Sequence, residues 1–191
     1  MMKDYKKYRW FYTSKGKLVV GGKNAEQNDE LLKKIISAKK DYYVMHTSSP
    51  GSPFSIIVED ASKVTGRDIE ESAIFTGCFS RAWRECKRKT RVDVFKIDQL
   101  SKGKETKSGT WQVRGLTKDL TIELRLALIR QKGTLRGVPP LSTGREKILM
   151  YVCPGKNDKE SMASAFEVDL GTVKHDELMA ALPAGGVRRC T

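Results

Sequence analysis

Apolar and polar positions alternate with two different periods along the chain. Residues 8–13, Tyr8-Arg9-Trp10-Phe11-Tyr12-Thr13, are aromatic and β-branched and predict a strand. Ser14-Lys15-Gly16-Lys17 supplies a turn, with Gly16 free to take a positive φ. Leu18-Val19-Val20 is then the return strand of a hairpin, stopped by Gly21-Gly22. Asn24, with Gln27 three residues on, reads as the N-cap and capping-box partner of a helix over 25–36. That helix places Leu31, Leu32, Ile35 and Ile36 on one side. Strands over 41–46 and 54–58 flank the turn-rich loop 47–53, which carries Pro50, Gly51, Ser52 and Pro53.

Thr65 and Asp68 mark the start of a second helix, which the periodicity carries to about residue 88. Ile74, Phe75, Cys78, Phe79, Ala82, Trp83 and Cys86 fall on one arc, and Arg81, Arg84, Lys87 and Arg88 on the opposite one. The pattern then predicts strands over 92–97, 110–114, 120–129 and 147–153. In the third, Ile122, Leu124 and Leu126 face one way. Residues 158–166 and 174–182 read as short helices, and 185–189 as a loosely docked tail. The connections are too short for repeated parallel crossovers. The expectation is an α+β fold, a mainly antiparallel sheet with helices packed on it, as a single domain over 1–140 with a small appendage over 141–191 packed on it.

Composition narrows the function classes. Of 191 residues, 39% are hydrophobic, which allows a packed core, and no apolar run approaches the length of a membrane helix. The N-terminus has no apolar secretory segment, so a cytoplasmic protein is expected. Cys78, Cys86, Cys153 and Cys190 form no C-x-x-C pair and read as reduced thiols. Cys78 and Cys86, about 12 Å apart along one helix, would not share a zinc ion, and only His46 and His175 add imidazole. No metal and no cofactor is expected. Pro154-Gly155-Lys156 lacks the second glycine of a P-loop, and no G-x-S-x-G elbow is present.

Charge adds a partner. There are 36 Lys and Arg against 23 Asp and Glu, a formal charge of +13, which attracts polyanions. The cations cluster in the first 17 residues, at 81–91, at Lys102, Lys104 and Lys107, and from Arg114 to Arg136. Tyr5, Tyr8, Trp10, Phe11 and Tyr12 interleave with Lys6, Lys7 and Arg9, so they could stack on bases; Tyr8, Trp10 and Tyr12 could instead share the core face of a strand, and for Trp10 the core is the favoured reading. Gly21-Gly22-Lys23 before a helix N-terminus offers a phosphate contact. His46, at a strand end before a Gly/Pro/Ser loop, could contact phosphate or ribose, act as a base, or be a structural histidine.

Taken in order, these segments resemble the NFACT-R module. The resemblance rests on Arg9 to Ser14, Leu18 to Asn28, His46 followed by Gly51-Ser52-Pro53, Phe79-Ser80-Arg81-Ala82-Trp83, Asp98 to Lys102, and Gly109-Thr110-Trp111-Gln112-Val113-Arg114-Gly115. It covers roughly 8–125, with an echo at Val152-Cys153-Pro154-Gly155. The resemblance implies an RNA-binding unit of ribosome-associated quality-control factors, proteins once labelled fibronectin-binding. Those factors engage the stalled large ribosomal subunit and tRNA and promote untemplated tailing of the nascent chain. It implies no catalytic residue and no metal. The chain has no room for the other domains of the large factors, so a stand-alone module is expected. Gln27, Asn28, Gly51, Ser80, Trp83, Ser101 and Gly115 stand at family-motif positions. Arg9, Lys23, His46, Arg81, Arg84, Arg88, Lys102 and Arg114 are the expected RNA contacts.

The leading expectation is a non-enzymatic module binding tRNA or rRNA, with the large subunit as a further partner, no membrane, and DNA bound only non-specifically. Two alternatives stand beside it. One is an RNA-processing enzyme using His46 with an ion or a carboxylate such as Asp41. The other is a protein-interaction domain with acidic ribosomal or chaperone partners.

Overall fold

The computed structural model describes residues 2–103, 107–115 and 117–190; Lys104, among the expected loop cations, lies outside them. In chain order the elements are β1 (Arg9–Tyr12), β2 (Leu18–Gly21), α1 (Ala25–Ser37), β3 (Tyr43–Thr47), β4 (Ser55–Ile57), α2 (Gly66–Cys78), α3 (Arg81–Arg84) and β5 (Lys89–Lys96). They continue with β6 (Leu100–Ser101), β7 (Gln112–Val113), β8 (Lys118–Glu123), β9 (Leu126–Gln131), β10 (Thr134–Val138), β11 (Met150–Pro154), α4 (Lys159–Leu170), α5 (His175–Ala181) and β12 (Val187–Arg189). The fold is α+β. A six-stranded sheet runs β1-β2-β4-β3-β5-β8, a four-stranded sheet β10-β9-β11-β12, and β6 pairs β7 alone. Every pairing among the described residues is antiparallel.

The large sheet is buried on both faces, which is why its strands read as continuous apolar runs rather than clean alternations. Neighbouring residues point to opposite sides. Trp10, Val20, Val44, Ile56 and Phe95 join Leu31, Leu32 and Ile35 of α1 in one cluster. Phe11, Val19, Met45, Ile57 and Val94 join Phe75 and Cys78 of α2 in the other, which continues into Leu126, Leu128, Val152 and Val187 of the second sheet. The second sheet thus takes strands from both sides of residue 140. Tyr8, Trp10 and Phe11 are fully enclosed, so they are core and cannot stack on bases. Ile36, expected in the core, is 41% exposed because it lies past the rim of the α1 stripe.

The single helix expected over 65–88 is broken in two. Its start matches the sequence: Thr65 caps α2 and Asp68 returns the capping-box bond. Phe79 then leaves helical geometry, and Ser80 both ends one helix and starts the next. Its hydroxyl donates to Gly77 O at 2.7 Å and accepts from Ala82 N at 3.1 Å. After Arg84 the chain turns through Cys86 at φ +54°. Arg81 and Arg84 therefore sit on a one-turn helix, Arg88 lies beyond the turn, and no continuous arginine stripe exists.

Other corrections arise from non-local pairing. The strand expected over 120–129 is two strands, since the chain changes sheet at Leu124-Arg125, where Leu124 N donates to Arg88 O at 2.8 Å. Ile122, Leu124 and Leu126 stay in one cluster across that change, so alternation does not reveal it. The strand expected over 110–114 shrinks to β7, and β10 was not expected. The tail is docked: β12 pairs β11 with Val152 opposite Arg189, and Trp83 Nε1 donates to Gly186 O at 3.0 Å. Cys153 and Cys190 are joined in a disulfide across this pairing, which corrects the reduced-thiol expectation for that pair; Cys78 and Cys86 are free thiols. The two sheets are clamped by Gln131, whose amide accepts from Tyr12 N at 2.8 Å and donates to Tyr12 O at 2.9 Å.

Two buried carboxylates on α2 hold the first hairpin. Glu71 accepts from Ser14 N at 2.7 Å and from Ser142 Oγ at 2.8 Å. Asp68 accepts from Thr13 Oγ1 at 2.6 Å and from Thr65 N at 2.9 Å. Burial pushes the Asp68 carboxyl upward, yet the bonds from Thr13 and Thr65 hold it below the ordinary carboxylate range. A depressed pKa stabilises the fold above the unfolded carboxylate value and loses that effect as pH falls through the native value. Asp68→Ala is expected to lose about 2–3 kcal/mol in urea unfolding at pH 7. The gap to the unsubstituted protein should narrow as pH drops below about 4.

Candidate nucleic-acid interface

The site begins near the N-terminus of α1, where two consecutive buried polar residues reach in different directions. Asn28 Oδ1 accepts from Phe54 N at 3.1 Å and so holds the loop leading into β4. A Cβ on Gly22 would come within 2.2 Å of that same oxygen, so the strand-to-helix turn requires glycine here. Asp29 accepts from Trp111 Nε1 at 2.8 Å, Gly109 N at 3.1 Å and Ser108 Oγ at 3.2 Å, and is ion-paired with Lys102. Burial raises the Asp29 carboxyl, and the bonds from Lys102, Trp111 and Gly109 bring it below its ordinary value. Gly109, at φ +77°, lies so close to α1 that a Cβ would meet Ala25 Cβ at 2.7 Å.

These anchors bring two loops and α3 around a groove of about 570 Å³. The size is that of a small-molecule or nucleotide site. Three cations line it: Arg9 from β1, Lys23 before α1, and Arg84 from α3. None of the three makes an ion pair with a carboxylate among the described residues. Arg9 lies over the Phe79 ring, 5.1 Å from its centroid, and burial pulls its pKa down. Burial, then the charges of Arg9 and Arg136, lowers Lys23. Three cations thus line one groove whose lining holds a single carboxylate, Asp93, an arrangement that favours an incoming anion. The N-terminus of α1 lines the same groove.

Among the rings of the lining, His46 and Trp111 are half-buried, whereas Phe54 and Phe95 are buried in the core beneath them. His46 stacks on Phe54 with ring centroids 4.4 Å apart, and Phe95 and Trp111 line the groove beside it. His46 Nδ1 is 2.7 Å from Thr47 O. A carbonyl only accepts, so Nδ1 carries the hydrogen. Burial holds the imidazole below its ordinary pKa, although the Thr47 bond and nearby Asp93 act upward. The ring is therefore neutral at pH 7, with Nε2 as an acceptor. Asp93 faces the groove and accepts from Ser48 Oγ at 2.7 Å.

The expected contacts separate on this geometry. Arg9, Lys23, His46 and Arg84 meet at the groove, together with Asn28, Gly51 and Ser80. Arg81 packs over Gly51, its amide donating to Gly51 O at 2.7 Å, with its side chain exposed at the rim. Lys102 is engaged by Asp29. Arg114 is exposed outside the groove, where its backbone pairs with Gln99, and Gly115 follows at φ +84°. Arg88 lines a separate cleft of about 480 Å³ with Arg125, Lys156 and Arg188. Gln27, Ser80 and Trp83 make bonds within the fold, and Ser101 lies on β6. Asp41, the carboxylate considered for catalysis, is ion-paired with Lys96. Phe54, Phe79 and Asp93 were not among the expected site residues. Their apolar or strand context carries no local signal of a groove. No group of three or more His, Cys, Asp or Glu among the described residues could hold a metal, and no described helix is long and apolar enough to cross a membrane.

Comparison with known proteins assigns the family of the chain that carries this groove. Residues 7–115 match the NFACT protein RNA binding domain, and the chain belongs to that family. It is similar to the archaeal Rqc2 homolog aRqcH of Methanocaldococcus jannaschii, with 28% identity over 96% of this chain and 29% of that protein. It is also similar to the ribosome quality control complex subunit NEMF homolog of Drosophila melanogaster, with 29% identity over 58% of this chain and 11% of that protein. The chain thus spans less than a third of the length of the curated relatives it matches, which are ribosome quality-control factors by name. In fold it is similar to the C-terminal part of the fibronectin/fibrinogen-binding protein from Streptococcus suis, with a TM-score of 0.55 and 24% identity over 61% of this chain and 45% of that one.

The Asp29 cluster predicts a local effect. Asp29→Asn removes the charge partner of Lys102 and weakens the bonds to Gly109 and Trp111. Exchange of the Gly109 amide and of the Trp111 indole N–H should accelerate at least tenfold, while β3 and β5 remain protected. Unchanged exchange at Gly109 would contradict the anchoring role.

Proposed function

We propose that this chain is a non-enzymatic module that binds RNA through the groove between β1, α3 and the loops 47–54 and 107–111. The ligand is tRNA or rRNA, and the setting is the large ribosomal subunit in the cytoplasm. The observation that carries this reading is that Arg9, Lys23 and Arg84, none ion-paired with a carboxylate among the described residues, line one groove together with His46 and Trp111. Phosphates fit the three cations, and an exposed base fits the half-buried rings of His46 and Trp111. Membership of the RNA-binding family and the quality-control relatives support the ligand class. A binding role also suits His46, whose Nδ1 is bonded to a backbone carbonyl rather than oriented by a carboxylate.

The reading makes a salt-dependent prediction. Reversing Arg9 and Arg84 together, R9E with R84E, should weaken tRNA binding at least tenfold at moderate salt. It should also flatten the plot of log K against log salt by about two phosphate contacts. Arg114→Glu, outside the groove, should change the affinity far less. An unaltered slope in the double variant would remove the groove from the RNA interface.

A further inference from the structure

The groove carries two sets of groups that differ in what they can recognise. Arg9, Lys23 and Arg84 supply only donors and positive charge. The same lining also supplies acceptors: Nε2 of His46, whose Nδ1 is taken up by Thr47 O, and the Asp93 carboxylate, which has accepted one bond from Ser48. A phosphate beside His46 would meet the Asp93 charge and an acceptor nitrogen, both unfavourable to an anion. A hydroxyl or amino group there would find acceptors. Around these groups lie flat surfaces, the His46 ring stacked on Phe54 and the Trp111 ring fixed by its bond to Asp29. Trp111 and His46 are thus positioned by the fold before any ligand arrives.

We infer that the groove takes a single unpaired ribonucleotide, its phosphate against Arg9, Lys23 and Arg84 and its ribose 2′-hydroxyl donating to His46 Nε2. The inference rests on the RNA-binding reading above and sharpens it to one nucleotide and one discriminating atom. The 2′-hydroxyl is the group that separates RNA from DNA, and a donor is what the neutral His46 selects. The three cations alone would hold either nucleic acid. The groove volume of about 570 Å³ is enough for one nucleotide.

The test uses the full chain and three short unstructured uridine oligomers of equal length, differing only at the sugar. They are ribo, 2′-fluoro and 2′-deoxy. The 2′-fluoro sugar keeps the ribose-like pucker but donates no hydrogen bond. The ribo oligomer should bind about five- to tenfold tighter than both others, the range one net hydrogen bond supplies. In His46→Phe, which keeps a ring on Phe54, the three affinities should converge. R9E should weaken all three together and preserve their ratio. A 2′-fluoro oligomer that binds like the ribo form would overturn the inference without any variant, since it would show that pucker and not donation is read. A ratio that survives in folded His46→Phe would overturn it too. If none of the three binds the unsubstituted protein, the RNA-binding reading itself fails, and this inference with it.

Discussion

The candidate site depends on two buried polar side chains in one helical turn. Asn28 and Asp29 occupy a stretch of α1 that faces the large sheet, where an apolar residue would satisfy packing alone. Instead Asn28 binds the amide of Phe54, and Asp29 gathers Lys102, Ser108, Gly109 and Trp111. Each loop is thereby attached to the same rigid helix. Leaving such groups unpaired is unfavourable, so the loops and the helix turn determine one another. Gly22 and Gly109 make the close approach feasible, since a side chain at either would collide with α1 or its cap.

The electrostatics follow from this anchoring. Because Lys102 neutralises Asp29, the buried carboxylate does not cancel the groove cations. The charge that remains is concentrated on Arg9, Lys23 and Arg84. Burial depresses Arg9 and Lys23, as it does Arg136, pulled down to about 10 while it lies 4.1 Å from the Trp10 ring centroid. The overall basic charge would attract polyanions to any face of the molecule. The groove differs in that its cations line the same cavity as half-buried rings and acceptors.

Much of the architecture was legible in the chain. The first hairpin, the Asn24 cap, the Thr65–Asp68 box and the antiparallel α+β class all follow from local pattern, and the structure realises each. Local pattern failed where distant partners decide. The arc from Ile74 to Cys86 keeps its apolar spacing through Phe79 and Ser80, so nothing in the period announces the break. The break rests on the Ser80 hydroxyl and on Gly51 O, supplied from another loop. The docking of β12 and the Cys153–Cys190 bridge likewise depend on a partner strand more than thirty residues away. For the site, Arg9, Lys23, His46 and Arg84 could be selected by charge and position. Their meeting, and the diversion of Lys102 to Asp29, required the tertiary structure.

The central claim is that RNA lies in this groove rather than spread over the basic surface. Photo-crosslinking of 4-thiouridine-containing tRNA to the intact protein, followed by peptide mapping, tests it most directly. The account predicts crosslinks concentrated in peptides carrying His46 to Phe54, Phe79 to Arg84 and Ser108 to Trp111. Crosslinks confined to the cleft of Arg88, Arg125 and Arg188, or scattered without focus, would contradict it.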